Sequence, residues 1–128
     1  MTDPLVEAAR AVQQRAYAPY SGYRVGAALE TDDGSIYVGC NVENASYGLT
    51  ICAERAAVTA AVAGGARRLR RAVLVTDSDP PAAPCGACRQ VLNEFGPDLT
   101  VEAVGPARSV RWTMRELLPN AFGPEQLA

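Results

Sequence analysis

The sequence contains no histidine and no lysine. Without histidine, the chain cannot build a Ser-His-Asp triad, a Cys-His pair or a histidine-ligated metal site. Without lysine, it cannot form Schiff bases or use a lysine as general base. A resident metal must therefore be held by cysteine, aspartate or glutamate. Proton transfer near neutral pH requires a carboxylate whose pKa is tuned by its environment.

Long apolar runs and a strong excess of charge are also missing. No segment approaches the roughly 20 apolar residues that span a membrane, and the first residues show no signal-peptide pattern. We therefore expect a cytoplasmic protein with no membrane partner. The formal net charge of −2 argues against a nucleic-acid partner. A length of 128 residues predicts a single domain, residues 1–128.

Hydrophobic periodicity, caps and turn residues predict an alternating order of elements, α-β-β-α-β-α-β-β-α. The predicted elements are a helix over 4–17, strands over 23–31 and 35–42, a helix over 52–63, a strand over 71–76, a helix over 85–95, strands over 99–104 and 109–112, and a short last helix. Asp3, Thr50 and Thr113 are the predicted N-caps of three of the helices. This order is typical of an α/β fold, and we expect a three-layer α/β/α sandwich with a mixed five-stranded sheet.

The chemistry of the chain is concentrated in its cysteines, Cys40, Cys52, Cys85 and Cys88. Two disulfides in any of three pairings would suit a secreted protein, but a cytoplasmic chain favours metal or redox chemistry. Cys52 and Cys85 stand at predicted helix starts, where free N–H groups favour the thiolate. Cys88 is three residues beyond Cys85, so both sulfurs can bind one ion. With Cys52 alongside, three thiolates form a tetrahedral zinc site whose fourth position stays open.

Glu54 lies two residues beyond Cys52, beside that open position. There it can take a proton from water without binding the metal. Cys-x-Glu followed by Pro-Cys-x-x-Cys is the three-cysteine form of the zinc-deaminase motif. Three simpler interpretations stay open: a closed structural zinc site with Cys40 as fourth ligand, a redox disulfide between Cys85 and Cys88, and Glu54 as an ordinary carboxylate in a first helical turn.

Nearly the whole chain resembles the small homotetrameric cytidine deaminases. The resemblance is carried by the segments APYSGYRVGAA at 18–28, GCNVENASY at 39–47, CAER at 52–55, PCGACRQ at 84–90 and ELLPNAF at 116–122. It implies a cytidine deaminase-like fold, and hydrolysis of free cytidine and 2'-deoxycytidine to uridine, 2'-deoxyuridine and ammonia in pyrimidine salvage. It also implies one zinc ion per chain, and a homotetramer with its sites at subunit boundaries. The small side chains of the Ala-rich helix over 53–63 allow another helix to pack closely against it.

The resemblance also implies roles for individual residues. Cys52, Cys85 and Cys88 become the zinc ligands, and Glu54 becomes the acid and base that moves a proton from water to N3 of the base and helps protonate the departing amine. The remaining matched positions are substrate contacts: Asn41 and Glu43 at the ribose hydroxyls, the Ala53 and Cys85 backbones at the pyrimidine edge, Tyr23 against the base, Tyr47, and Phe122 reaching a neighbouring subunit's site. The family usually has Phe where this chain has Tyr23, and the added hydroxyl needs a partner.

Charge at the metal points to one further residue. Three thiolates and Zn²⁺ carry a net charge of −1, which weakens the metal as a Lewis acid. Arg55, near the helix start, is our candidate for donating hydrogen bonds to the ligand sulfurs and offsetting this charge. The alternative is an ordinary surface ion pair.

Competing functions follow from other features. The arginine-rich run at 67–71 suggests nucleic-acid binding, which the acidic balance of the chain opposes. A related deaminase could act on another aminopyrimidine nucleoside, or on a base within RNA or DNA. A zinc-stabilised binding module would show no turnover. Asn41 and Glu43 favour a free nucleoside, so we expect a small-molecule substrate and water as the partners.

Overall fold

A mixed sheet forms the centre of the molecule. The computed structural model describes residues 3–127. Five strands lie in the order β2-β1-β3-β4-β5; they are β1 (Gly26–Thr31), β2 (Ile36–Cys40), β3 (Leu69–Val75), β4 (Thr100–Val104) and β5 (Ser109–Thr113). β3 and β4 are parallel, and every other neighbouring pair is antiparallel. The predicted five-stranded mixed sheet is confirmed.

Helices cover both faces of this sheet. They are α1 (Pro4–Gln13), α2 (Ala53–Ala63), α3 (Gly86–Phe95) and the short α4 (Met114–Leu117), with 3-10 turns at Tyr47–Leu49 and Pro124–Gln126. Because successive strand residues point to opposite faces, α1 packs with Ala28 and Val73, whereas α2 and α3 pack with Leu29 and Leu74. This is the expected three-layer α/β/α sandwich. None of the helices within residues 3–127 combines the length and the apolar character that crossing a bilayer requires.

Two of the predicted caps are present. The Asp3 side chain accepts a 3.0 Å hydrogen bond from the backbone N–H of Leu5, and Pro4 opens α1, where its missing N–H costs nothing. Thr113 and Glu116 form the reciprocal capping box that begins α4. These side chains satisfy amide groups that a helix N-terminus otherwise leaves without partners.

The predicted extent of the first helix is wrong by four residues. α1 ends at Gln13 and not at Tyr17. The backbone of Tyr17 forms a bridge beside β2, donating to the Asn41 carbonyl at 3.0 Å and accepting from the Glu43 N–H at 2.8 Å. These hydrogen bonds to a distant part of the chain outweigh the local helical preference of residues 14–17.

The N-cap of α2 also differs from the prediction. Cys52 occupies the cap position, and the Thr50 hydroxyl instead accepts a hydrogen bond from the Asn44 N–H at 3.2 Å. The helix lies directly on β2 because Gly39 has no side chain: a Cβ there would lie 2.7 Å from the Ala53 carbonyl oxygen. This close approach fixes the position of the N-terminus of α2 against the sheet.

Candidate active site

Three cysteine sulfurs meet where the N-termini of α2 and α3 come together. Cys52 is the N-cap of α2, Cys85 is the N-cap of α3, and Cys88 lies in the first turn of α3. Their Sγ atoms all lie within 4.8 Å of one another, and the Cys52–Cys85 separation is 3.8 Å. A tetrahedral zinc ion with Zn–S bonds of about 2.3 Å needs sulfurs about 3.8 Å apart. The Cys52–Cys85 separation matches that value, and the three sulfurs are close enough together to bind one zinc ion.

The surroundings of the cluster favour thiolate at Cys52. A hydrogen bond with the Cys88 thiol and another from Arg55 lower the pKa of Cys52 to about 5, although burial opposes the shift. The same hydrogen bond raises the pKa of Cys88, which is the partner that keeps its proton, and burial adds to that rise. One thiolate is thus present before any metal arrives, and thiolate is the form that binds zinc.

Cys40 does not belong to this cluster of described residues. It lies at the end of β2, where its register partner is Gly26. A Cβ on Gly26 would collide with α1, so this strand position faces the helix layer opposite α2 and α3. The arrangement disfavours the closed site with four cysteine ligands.

Glu54 is the second residue of α2 and is only 6% exposed. Burial raises the pKa of its carboxyl to about 7, and a negative charge on Cys52 adds to the shift. A group with such a pKa both accepts and donates a proton near neutral pH, as a general acid and base must. Burial beside the cysteine cluster distinguishes Glu54 from a solvent-exposed carboxylate of a first helical turn.

Arg55 points back to the cluster. Its Nη2 donates to Cys52 Sγ at 3.6 Å and to the Thr50 carbonyl at 3.4 Å. The hydrogen bond to Cys52 also raises the pKa of the guanidinium. Its Nε is buried and has no hydrogen-bond partner among residues 3–127. These contacts favour a charge directed at the thiolates over a surface ion pair.

A cavity of about 200 Å³ opens beside the cysteines. Its lining includes Tyr23, Asn41, Thr50, Cys52, Ala53, Glu54, Thr76, Ala83 and Cys85. Two of the three clustered cysteines, the buried carboxyl and four of the expected substrate contacts (Tyr23, Asn41 and the Ala53 and Cys85 backbones) thus share one cavity. Its walls carry apolar surface around a few polar groups, which is typical of small-molecule sites.

At one side of this cavity, the Asn41 side chain forms hydrogen bonds with the backbone of the segment at Tyr23 and Val25. Asn41 is 8% exposed, its Oδ1 accepts from the Val25 N–H at 2.9 Å, and its Nδ2 donates to the Tyr23 carbonyl at 2.7 Å. An amide group has two donors and two acceptor lone pairs. One N–H and one lone pair therefore remain for a ligand.

Glu43 and Tyr47 lie in a neighbouring cleft that shares Thr50 with the cavity. The Glu43 carboxylate accepts from the Ser21 hydroxyl and from the Tyr20 N–H, and these hydrogen bonds lower its pKa. The rings of Tyr20 and Tyr47 pack edge to face with centroids 6.1 Å apart. This part of the expected substrate site is open and lies outside the sulfur-lined cavity.

Phe122 is not brought to the cavity of its own chain. It is 56% exposed, and its carbonyl accepts from Gln90 Nε2 at 2.9 Å. Phe122 is not among the residues of 3–127 that line the two clefts described above. Its position leaves it free to contact another molecule.

Two polar residues at the cavity were missed from the sequence. Thr76 lines it, and Ser78 shares a hydrogen bond of 3.0 Å with the Thr76 hydroxyl. The available signal was their position immediately after β3, because ligand sites of α/β sheets lie at the carboxyl ends of strands. No motif marks a lone Ser or Thr, so the sequence predicts Thr76 only as the last residue of a strand and Ser78 only as a loop residue.

Comparisons with known proteins agree with this geometry. A family model for the "cytidine and deoxycytidylate deaminase zinc-binding region" matches residues 2–103. A cytidine deaminase of Sporosarcina psychrophila is 42% identical over 98% of this chain and 94% of its own length. A probable cytidine deaminase of Dictyostelium discoideum is 49% identical over 95% of this chain and 84% of its own length.

The fold is shared with a solved relative. The crystal structure of cytidine deaminase from Burkholderia pseudomallei superposes with a TM-score of 0.90 and 49% identity, covering 95% of this chain and all of the other. Sequence likeness and fold likeness both extend over the cysteine cluster and its helices. The chain therefore belongs to the zinc-binding cytidine deaminase family.

Proposed function

We propose that this protein catalyses the zinc-dependent hydrolytic deamination of free cytidine and 2'-deoxycytidine, giving uridine or 2'-deoxyuridine and ammonia in pyrimidine salvage. The observation that carries the proposal is a trio of cysteine sulfurs close enough to bind one zinc ion, two of which line a small cavity together with a buried glutamate. Residues 1–128 act as one catalytic domain in this proposal. The reducing cytoplasm suits three free thiols.

Cys52, Cys85 and Cys88 hold the zinc ion. They supply three ligands from two helix N-termini, so the ion keeps a fourth position for a non-protein ligand. Zinc bound there supplies Lewis-acid activation of water near neutral pH. The partial positive charge of both helix ends stabilises the thiolates that the metal needs.

Glu54 moves the protons of the reaction. It takes a proton from the attacking water and delivers it to N3 of the base, while the water oxygen bonds to C4. It then takes the proton of the new C4 hydroxyl and gives it to the exocyclic amine, so that the C4–N bond breaks, the C4 carbonyl forms and ammonia leaves. Its raised pKa suits both directions of transfer, because neither protonation state dominates near pH 7.

Arg55 offsets the charge that three thiolates place on the metal. Its contacts with Cys52 draw electron density from the ligand sulfur. Hydrogen bonds to ligand atoms tune a metal site without touching the ion itself. Arg55 therefore affects turnover more than metal affinity.

The nucleoside is held by residues on the other side of the cavity. Tyr23 packs against the base, and the Ala53 and Cys85 backbones bind the pyrimidine edge. Asn41 and Glu43 bind the ribose hydroxyls, Asn41 with its remaining N–H and lone pair. Tyr47 closes the outer cleft. A ribose gripped in this way leaves little room for a continuing polynucleotide.

The arginine-rich run does not support nucleic-acid binding. Arg70 and Arg71 form ion pairs with Glu30 and Asp3, at 3.1 Å and 2.6 Å. Arg67 donates to the carbonyl groups of Val62 and Ala66 near the end of α2. Three of the four arginines of the run are thus engaged within the chain, which disfavours a continuous basic stripe for phosphates.

A homotetramer with sites at subunit boundaries is part of the proposal. Several apolar and aromatic side chains are exposed, among them Tyr17, Tyr20, Val42, Tyr47, Leu49, Ile51 and Phe122. Exposed apolar surface of this kind marks interaction sites. The exposed Phe122 of one chain is available to complete the open cleft of another.

The proposal is tested by following the ultraviolet absorbance of cytidine and of deoxycytidine, with and without a zinc chelator. We expect loss of both substrates in the zinc-loaded protein, release of one ammonia per nucleoside, and inhibition by the chelator that added zinc reverses. A folded, zinc-loaded protein that turns over neither nucleoside would show that the site is a binding module.

A further inference from the structure

The added hydroxyl of Tyr23 has a partner within the chain. Tyr23 Oη lies 3.1 Å from Ser78 Oγ, and Ser78 Oγ lies 3.0 Å from Thr76 Oγ1. Three hydroxyls thus form a hydrogen-bonded row. Thr76 is 3% exposed and lines the same cavity as the Tyr23 ring. The row therefore joins two walls of the cavity to each other.

The hydroxyl row lies just beyond the end of the β1–β3 ladder, between the segment before β1 and the segment after β3. The β1–β3 ladder ends with Gly26 opposite Val75. Beyond that pair, side chains join the two segments: Tyr23 with Ser78, and Gln13 Nε2 with both the Arg24 carbonyl and Asp77. Gln13, which is 4% exposed, binds the backbone at Arg24, whereas the hydroxyl row binds the aromatic ring of Tyr23.

The turn between β4 and β5 packs against the backbone of Ser78. The Ser78 carbonyl oxygen would lie 2.7 Å from a Cβ on Gly105, so the β4–β5 turn packs closely against the loop. The next residue, Asp79, pairs with Arg108 of the same turn at 2.9 Å. The β4–β5 turn therefore restricts the position of Ser78, and the Tyr23 hydroxyl is hydrogen-bonded to Ser78.

We propose that Ser78 is a positioning residue for substrate binding: through its hydroxyl it fixes the Tyr23 ring as a wall of the nucleoside cavity. This inference rests on the proposed function, in which that ring packs against the base. An aromatic ring held at both ends loses less freedom when a base packs on it, so less binding free energy is spent on ordering it. The Ser78 hydroxyl provides the second attachment, the first being the backbone.

The test compares Ser78→Ala, Tyr23→Phe and the double variant in the zinc-loaded protein with cytidine. Losing one neutral hydrogen bond changes binding by about three- to ten-fold. We expect each single variant to raise KM by about that factor and to leave kcat within about two-fold, because the lost interaction is made before and during the reaction alike. The double variant should resemble Ser78→Ala, since every one of the variants removes the Tyr23–Ser78 hydrogen bond and Ser78→Ala removes the bond to Thr76 as well.

Two further measurements separate positioning from mere loss of stability. The dissociation constant of uridine, measured by calorimetry, should rise by the same factor without any turnover. Ser78→Thr keeps a hydroxyl and should restore both values. Tyr37→Phe is the matched control, because Tyr37 also donates its hydroxyl to a neighbour, the Gly64 carbonyl at 3.2 Å, but lies away from the cavity. It should lower thermal stability without changing KM.

Unchanged KM and uridine affinity in Ser78→Ala, or effects of the two single variants that add up in the double variant, would overturn the inference while leaving the proposed function in place. Tyr23→Phe removes the same hydrogen bond from the other end, so the test stands even if Ser78→Ala does not fold. A wild-type protein that neither deaminates cytidine nor binds uridine would overturn the proposed function itself, and the inference with it.

Discussion

Two regions of the cavity are built in different ways. The metal corner consists of Cys52, Glu54, Cys85 and Cys88, which come from two short segments at helix N-termini. In the proposed site, the nucleoside wall consists of Tyr23, Asn41 and Thr76 in the cavity, Ser78 next to them, and Glu43 in the neighbouring cleft; these residues lie before β1, after β2 and after β3. One region is assembled by helix geometry, and the other by hydrogen bonds between loops.

The difference has energetic consequences. In the metal corner, hydrogen bonds with Cys88 and from Arg55 lower the pKa of Cys52, and burial raises the pKa of Glu54, with a contribution from the charge on Cys52. The nucleoside wall is held largely by neutral hydrogen bonds, each of which contributes little by itself. Changes in the metal corner should therefore abolish turnover, whereas changes in the wall should alter substrate binding by degrees.

The largest effect should follow loss of a metal ligand. We expect Cys85→Ala to bring zinc content close to zero and turnover to the limit of detection, because two thiolates cannot hold the ion in place. Cys85 is exposed, so its truncation leaves no cavity in the core. Metal analysis alongside the cytidine assay measures both effects.

Cys40→Ala is the matched control for that variant. Cys40 lies outside the sulfur cluster, so its variant should keep a full complement of zinc. If Cys40→Ala and Cys85→Ala lose zinc equally, the site is a closed one with four cysteine ligands. A metal corner with three cysteine ligands and an open fourth position would then be wrong.

Glu54→Gln should have the next largest effect. Glutamine keeps the size of the side chain but cannot take a proton, and general acid–base catalysis typically contributes about 10²- to 10⁴-fold. We expect kcat to fall by a factor in that range with zinc content unchanged. Glu30→Gln, which alters a glutamate of β1 that pairs with Arg70, should leave kcat unaffected. A Glu54→Gln variant with nearly normal turnover would reduce Glu54 to a carboxylate that only stabilises its helix.

Arg55→Ala should have an intermediate effect. Removing a group that hydrogen-bonds to a metal ligand typically costs about 10- to 100-fold in activity or metal affinity. Because Arg55 contacts a ligand sulfur and not the ion, we expect turnover per zinc ion to fall more than zinc content. Arg115→Ala, an exposed arginine that pairs weakly with Asp98 at 3.8 Å, serves as control. Unchanged turnover in a fully zinc-loaded Arg55→Ala protein would leave Arg55 with only a structural role.

The same contrast explains what could be predicted from the sequence. Spacing and helix caps specify the metal corner, so Cys52, Cys85, Cys88 and Glu54 are predictable from two short segments. The sheet was predictable for a similar reason, since apolar alternation and turn residues lie within each strand. Helix α1 was predicted too long because the bridge of Tyr17 to residues 41–43 depends on chain distant in sequence.

Ser78 and Thr76 were unpredictable for the same reason as Tyr17. Their importance arises from a contact with Tyr23, which is 55 positions away from Ser78 in the sequence, and no local pattern records it. Tyr23 did carry a usable signal, because a tyrosine hydroxyl in a cavity needs a partner. The sequence therefore indicated that the Tyr23 hydroxyl needs a partner. That the partner is Ser78 depends on how the loop after β3 packs against the turn between β4 and β5.

The smallest of these four effects concerns the sugar. Glu43→Gln should raise KM for cytidine by about three- to thirty-fold and change kcat little, because a carboxylate that binds a hydroxyl contributes a charge-assisted hydrogen bond in ground and transition states alike. The substitution also weakens the contacts with Ser21 and Tyr20 that orient residue 43. Free cytosine, which has no ribose, separates the two regions of the cavity: its turnover should be insensitive to Glu43→Gln and strongly reduced by Glu54→Gln. If Glu43→Gln reduced turnover of cytosine as much as that of cytidine, Glu43 would act on the metal corner and the division between the two regions would fail.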